Sequence, residues 1–289
     1  MLDNTTAKVK KIDLSGGRIL DFSRPNIMGV LNVTPDSFSD GGEYLKPDAA
    51  AARIRQIIGE GADIIDVGGE SSRPGSEPVD KETELERVIP VIRDIRAISD
   101  IPISIDTTKA AVAKEALEAG ADIVNDISAL RFDPDMIDLV AESGVPIVLM
   151  HMLGKPKTMQ HNPSYNDCVN DIMQFFSERL HFCLNYGISK DRVIIDPGIG
   201  FGKRLNDNLA IFNKLNQFDT FGCPIMIGAS RKSFIKLITG DTGEASKRIG
   251  GSITAALVSV IKGVDIIRVH DVAETIEAVR IYLAINEAV

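Results

Sequence analysis

The chain has 289 residues, 44% of them hydrophobic, and a formal charge of −9. It is long enough to bury a large core, and its acidic balance makes it a poor partner for nucleic acid or anionic membranes. An enzyme or a small-molecule binding protein remains. The start, Met1-Leu2-Asp3-Asn4-Thr5-Thr6-Ala7-Lys8, lacks the apolar core of a signal peptide and no later stretch approaches a membrane span, so a cytoplasmic location is expected.

In chain order, a polar leader through about Arg24 comes first and carries no usable motif. Eight short aliphatic or β-branched runs follow, at 27–31, 64–67, 103–105, 123–124, 147–150, 193–195, 225–227 and 266–269. Each is nearly all apolar, as a parallel strand covered on both faces should be. Segments of helical composition lie between and after them, at 48–60, 81–98, 110–119, 134–143, 165–186, 208–216, 246–262 and 272–286. Eight strands alternating with eight helices predict a single (β/α)8 TIM barrel over residues 25–289, preceded by a short N-terminal leader over 1–24. Such barrels take about 250 residues. An open doubly wound sheet would want a glycine fingerprint after its first strand, and Leu31-Asn32-Val33-Thr34-Pro35 offers none.

Polar residues follow the runs: Asn32, Gly68-Gly69-Glu70, Asp106, Asn125-Asp126, His151, Asp196, Ser230-Arg231-Lys232, and Arg268 with His270. Strand ends of a barrel converge on one rim, which is where its active sites lie. Two of the loops are rich in chemistry, Asn32-Val33-Thr34-Pro35-Asp36-Ser37-Phe38-Ser39-Asp40-Gly41-Gly42 and Gly68-Gly69-Glu70-Ser71-Ser72-Arg73-Pro74-Gly75-Ser76-Glu77-Pro78. Either alone reads as turn formers; two adjacent ones at the active rim suggest lids over a substrate.

Asn32 ends the first strand, where its amide oxygen could accept Mg2+ alongside phosphate oxygens. Asp36 and Asp40 could help it or simply cap turns. Ser72 and Arg73 offer a hydroxyl and a guanidinium fork to an anion, against the plain reading of a salt bridge. Arg268 and His270 fall on the same side of the last strand and can grip one anion together, at the place where barrels often bind phosphate. Asp196-Pro197-Gly198-Ile199-Gly200-Phe201-Gly202-Lys203 is not a phosphate loop, because Arg204 stands where Ser or Thr is required. Its glycines would let backbone approach a flat ligand, with Phe201 as an aromatic wall, or make a tight turn. Asp106, Asn125, Asp196 and Lys232 come from four strand ends, and together could line the edge of an aminopyrimidinone ring. Asp66 and Asp126 read as caps or turn residues. Cys168, Cys183 and Cys223 lack metal-ligand spacing and read as buried or incidental thiols, and no His pair suits a permanent protein-ligated metal.

The two loops, in the contexts Leu31-Asn32-Val33-Thr34-Pro35-Asp36-Ser37-Phe38-Ser39-Asp40-Gly41-Gly42 and Asp66-Val67-Gly68-Gly69-Glu70-Ser71-Ser72-Arg73-Pro74-Gly75, closely resemble the two signatures of bacterial dihydropteroate synthases. Ser104-Ile105-Asp106-Thr107, Val124-Asn125-Asp126-Ile127, Leu149-Met150-His151-Met152, Asp196-Pro197-Gly198, Ser230-Arg231-Lys232-Ser233 and Ile267-Arg268-Val269-His270-Asp271 extend the match from about Asn26 to the C-terminus. Some members carry an aromatic residue at the position of Ile199 and Thr at that of Ser72, which keeps an apolar wall and a hydroxyl.

The resemblance implies condensation of 6-hydroxymethyl-7,8-dihydropterin diphosphate with 4-aminobenzoate, giving 7,8-dihydropteroate and diphosphate for folate synthesis, with sulfonamides as inhibitors. Asp106, Asn125, Ile127, Met150, Asp196, Gly228 and Lys232 then match pterin positions. Asn32, Ser72, Arg268 and His270 match the diphosphate end, with Asn32 as the Mg2+ ligand. Ser71, Ser72, Arg73, Pro74, Phe38, Phe201 and Ser233 match positions that meet the aminobenzoate, and Asp106, Lys232, Arg268 and His270 are the residues expected to carry catalysis. A homodimer is implied too. Gly250-Gly251-Ser252-Ile253-Thr254-Ala255-Ala256-Leu257 could serve as its packing face or could pack on the barrel. Two further readings stay open, a corrinoid-dependent methyltransferase acting on a methylated folate, and a silent pterin-binding protein.

Overall fold

The computed structural model describes residues 8–34, 47–240 and 243–288. Eight parallel strands, β3 (Asn26–Asn32), β4 (Ile64–Gly68), β5 (Ile103–Asp106), β6 (Ile123–Asp126), β7 (Ile147–Met150), β8 (Val193–Asp196), β9 (Met226–Ile227) and β10 (Ile266–Val269), lie in the order β8-β7-β6-β5-β4-β3-β10-β9. An isolated parallel bridge between Ile195 and Ile225 joins the first of these to the last and closes the barrel. The strand β9 is shorter than the sequence predicts, and Asp265 supplies the missing pairing, its carboxylate accepting from Ile225 N at 2.7 Å.

Helices α1 (Pro47–Glu60), α2 (Lys81–Ile98), α3 (Ala110–Glu118), α4 (Met136–Ser143), α5 (Cys168–Asn185), α6 (Leu205–Asn213), α7 (Ser233–Thr239), α8 (Ile249–Ile261) and α9 (Val272–Glu287) ring the barrel. The expected helix over 165–186 begins at Cys168, because Asp167 caps it, accepting from Val169 N and Asn170 N. The one expected at 208–216 starts earlier, since the Asp207 carboxylate accepts from Arg204 N at 2.8 Å. The short helix α7 lies outside the eight segments of helical composition. Phe234 and Ile235 bury its inner face, while Ser230-Arg231-Lys232-Ser233 reads in sequence as rim chemistry alone. Among the described residues no helix is long and apolar enough to cross a membrane.

Side chains alternate along each strand, and the alternation divides the interior into two layers. Outward residues such as Ile27, Ile65, Ile105, Val124, Leu149, Ile195 and Ile267 pack under the helices. Inward, Met28, Ile64, Ile123, Val148, Ile194, Met226 and Ile266 form a separate apolar cluster, one residue from each of seven strands. Two residues farther along the same strands stand Val30, Asp66, Asn125, Met150, Asp196, Gly228 and Arg268. The barrel is thus apolar at its floor and polar at its mouth.

The leader is folded in place. Residues Lys11–Asp13 (β1) and Ile19–Asp21 (β2) pair antiparallel around a turn at Ser15–Gly17. Ile12, Leu14 and Leu20 join the inward cluster and plug the floor, burying surface worth about 1.5–3 kcal/mol for each side chain. Arg18 fastens the hairpin through Asp122, which it meets at 2.7 Å and which Arg96 (2.8 Å) and Ile103 N (3.0 Å) also hold.

Candidate active site

The mouth is a layer of charged and amide side chains set directly above apolar ones. Pairing places Asn32 beside Gly68, Gly68 beside Asp106, and Asp106 beside Asn125, so four adjacent strand ends bring their groups to one level. Gly68 keeps this row open: a Cβ there would come 3.6 Å from Asn32 Oδ1 and 3.7 Å from Asp106 Oδ2.

Arg268 crosses the mouth from β10. Its Nε donates to Asp66 at 2.6 Å and its Nη2 to Asp106 at 2.8 Å. Asp66, fully buried, also accepts from Asn125 Nδ2 at 3.3 Å. Asp66 is therefore a member of the site and not a turn residue as its sequence suggests. Its even spacing with Ile64 gave the signal, since a carboxylate at an inward position of an apolar strand needs a cation or a donor. Asp126, also buried, does cap a turn, accepting from Ser128 N and Leu130 N at 2.7 Å each.

Across the mouth, the Asp196 carboxylate accepts from Gly198 N at 2.7 Å. Lys232 donates to the Ile199 carbonyl, and its ammonium lies 4.0 Å from the centre of the Phe201 ring. Arg231, in a left-handed conformation with φ 61°, turns the chain so that Lys232 faces inward. The strained turn is held by Ser252 Oγ accepting from Arg231 N (2.9 Å), by Arg248 donating to Arg231 O (2.9 Å) and by the Arg231–Asp271 ion pair. Ser233 is exposed at the start of α7, Gly228 flanks Arg268, and Ile127 and Phe201 pack on the methionine cluster of Met150, Met152 and Met159.

The electrostatics follow from burial. Enclosure pushes the Asp106 carboxyl up to about 7, with Arg268 pulling it back and Asp66 pushing it further. Burial raises Asp196 as well, opposed by Gly198 N and Lys232. Burial pushes Lys232 down to about 7, against the pull of Asp196. His270 is pushed down to about 3 by burial and then by Arg268 and Arg231, so at neutral pH it is a neutral imidazole whose Nδ1 lies 3.1 Å from Ser230 Oγ.

The loop after β4 rests on a rigid stem. Glu70 pairs with Lys109, whose ammonium also meets the fully buried Glu84 at 2.6 Å, and Arg87 donates to Gly69 O at 2.8 Å. Ser76 Oγ donates to Ser71 O, folding Ser71, Ser72, Arg73 and Pro74 into a compact turn, and Gly75 N reaches Pro156 O at 3.3 Å in the loop after β7. Ser72 lines a small cavity with Asp106 and Ile127, while Arg73 and Pro74 are exposed. Asp36, Phe38 and Asp40 lie outside the described residues. The three cysteines are buried free thiols.

A family profile described as "Pterin binding enzyme" matches residues 28–270. The chain is 45% identical over 265 residues to the dihydropteroate synthase of Escherichia coli K12, covering 92% of this chain and 93% of that one. Among solved structures, it superposes with a TM-score of 0.90 on the Yersinia pestis dihydropteroate synthase with a sulfonamide drug complex, at 42% identity, covering 96% and 99% of the two chains. With the Xanthomonas albilineans dihydropteroate synthase in complex with 7,8-dihydropteroate the TM-score is 0.86, at 41% identity and with 96% and 98% covered. The profile match over residues 28–270 and relatives that match over nine-tenths of their length make this chain a member of the pterin-binding enzyme family, among its dihydropteroate synthases.

Proposed function

We propose that the mouth binds 6-hydroxymethyl-7,8-dihydropterin diphosphate and then 4-aminobenzoate, and joins them to give 7,8-dihydropteroate and diphosphate. The observation that carries this reading is the set of acceptors and donors facing one another above the apolar floor: Asp106, Asp66 and Asn125 on one side, Asp196 and Lys232 on the other. Paired carboxylates and an amide suit the adjacent N–H groups of an aminopyrimidinone edge, while Ile127 and Met150 offer the ring an apolar wall.

The bond to be broken joins the pterin methylene to a diphosphate oxygen. An electron-rich pterin ring stabilises the carbon left behind, so departure of the diphosphate precedes attack. Arg268, fixed by Asp66 and Asp106, holds a guanidinium at the mouth for the leaving group, and His270 supplies a neutral N–H donor, each fixed donor being worth roughly 3 kcal/mol. Asp106 offsets positive charge on the ring. The arylamine attacks as the neutral amine, so a strong base is not required. Ser71, Ser72, Arg73 and Pro74, with Phe201 and Ser233, frame its site, and closure over it excludes the water that would otherwise trap the cation.

Mg2+ fits the donor set. Asn32 Oδ1 is a single neutral oxygen at the open row beside Gly68, suited to a hard ion that keeps water and phosphate oxygens as its other ligands. When bound it would neutralise diphosphate charge. The outward faces of α7, α8 and α9 expose Leu237, Ile238, Ile261, Ile281 and Ile285, which supports a homodimer through these helices. The Gly250 to Leu257 stretch is instead largely occupied within the chain: Ala255 and Ala256 are buried, and a Cβ on Gly251 would strike Ile235. A role in folate synthesis supports a cytoplasmic location.

Turnover tests the reading. The purified protein, given both substrates and Mg2+, should form dihydropteroate on a chromatogram and lose that activity to a sulfonamide. Tight pterin binding without product would bring forward the methyltransferase or the silent binder.

A further inference from the structure

Lys203 sits behind the mouth. Its side chain is 3% exposed, and among the described residues no carboxylate is in salt-bridge contact with it. A buried ammonium without such a partner is costly, and burial pushes this one down to about 7. Its contacts show what the enclosure secures. Nζ lies 2.9 Å from His151 Nδ1, 3.2 Å from His151 O and 3.1 Å from Phe201 O. With the ammonium donating to Nδ1, the imidazole keeps its proton on Nε2.

The two segments so joined are in direct backbone contact. A Cβ on Gly198 would fall 2.0 Å from His151 O, and one on Gly202 would fall 2.7 Å from Leu153 O. The exit of β7 and the loop after β8 therefore stack closely, and Lys203 reaches His151 on the first and Phe201 on the second. Tyr165 Oη donates to Gly202 O at 2.7 Å and Gln160 Nε2 to Gly200 O at 2.6 Å, which leaves the intervening Phe201 carbonyl to Lys203. The Phe201 ring is then set between the methionine cluster and the Lys232 ammonium.

We propose that Lys203 is a positioning residue for the second substrate: by fixing the Phe201 carbonyl and His151 together, it sets the angle of the Phe201 ring against which the aminobenzoate packs, without touching either substrate. The proposal rests on the reading of the mouth given above. It separates two effects that a merely structural lysine would merge. The pterin edge is read by Asp106, Asn125 and Asp196 on their own strands, whereas the aminobenzoate wall depends on the loop after β8.

The test is Lys203→Met in the full chain, with wild-type turnover measured alongside so that failure of the functional reading shows itself first, in the wild type. The expected result is a cooperative melt, a KM for 4-aminobenzoate raised about tenfold or more, the scale of one lost charge-assisted hydrogen bond, and pterin diphosphate affinity changed by less than about threefold. Lys203→Arg, which keeps donors toward the two carbonyls, should recover part of the KM, and it carries the same comparison should the Met variant not fold. The His151 ring should report the loss too, its Nδ1 nitrogen resonance shifting in Lys203→Met. Equal weakening of both substrates, or an unchanged aminobenzoate KM in a folded variant, would overturn the proposal.

Discussion

Arg268 is bound to Asp66 at 2.6 Å before it meets any substrate. With Asp106 as its second partner, the guanidinium is fixed by two carboxylates and needs no reorganisation to receive a leaving group. The pair predicts different consequences for its two members. Arg268→Ala should weaken pterin diphosphate binding by roughly tenfold to a hundredfold, and affect bare hydroxymethyl pterin much less. Calorimetry of both ligands decides it, and equal losses would make Arg268 structural. Asp66→Ala should lower stability by about 3 kcal/mol, since it strips one carboxylate from a largely enclosed cation.

The pH profile of kcat/KM for the pterin substrate reports groups of the free enzyme. Asp106 and Asp196 must be ionised to accept, and both are raised, so activity falls as pH drops through about 7 and below. Lys232 must be charged and is lowered, so activity also falls as pH rises through about 7. A narrow bell is expected. His270, lowered to about 3, stays neutral throughout, so His270→Gln should reduce the rate and leave both limbs in place. Loss of the acid limb in that variant would assign it to the imidazole instead.

Lys109 supports the loop after β4 from behind. Lys109→Met leaves Glu84 buried without its cation and frees Glu70, a change expected to cost about 3 kcal/mol and to raise the aminobenzoate KM. Adding Glu84→Gln removes the orphaned charge, so melting of the double variant should recover much of the loss. A fully additive cycle would show that the two residues are not coupled.

The floor should behave independently of the mouth. Leu20→Ala removes buried aliphatic volume beneath the inward cluster and is expected to cost about 2–4 kcal/mol. Both KM values should stay as they are below the lowered melting temperature. A selective change in pterin affinity would mean that the plug reaches the site.

The strands were legible because each is a mostly apolar run, and much of the rim because Asn32, Asp106, Asn125 and Asp196 directly follow their runs at the inward parity. Asp106, Asn125 and Asp196 meet at the mouth for that reason, whereas Arg268 lies inside its run at the same parity and Lys232 arrives through the turn at Arg231. Asp66 lies within its run and reads like the turn-making Asp126; its parity with the inward Ile64 sets it apart, and the cross-barrel contact with Arg268 shows why that matters. The hairpin was illegible for another reason. Ile12, Leu14 and Leu20 are scattered through a polar leader, and their common destination is the open end of a barrel assembled from residues far along the chain. Lys203 looked like part of a failed phosphate loop, and its role depends on a histidine 52 positions away.

Within the polar layer of the mouth, Asp196 is the most exacting member of the proposed pterin site. Titration of a hydroxymethyl pterin into wild type and Asp196→Asn, with melting measured on both, tests it directly. The prediction is affinity reduced by about tenfold or more with the melting temperature unchanged or raised, because a buried carboxylate held above its usual range is removed. Unchanged pterin affinity in the folded variant would contradict it.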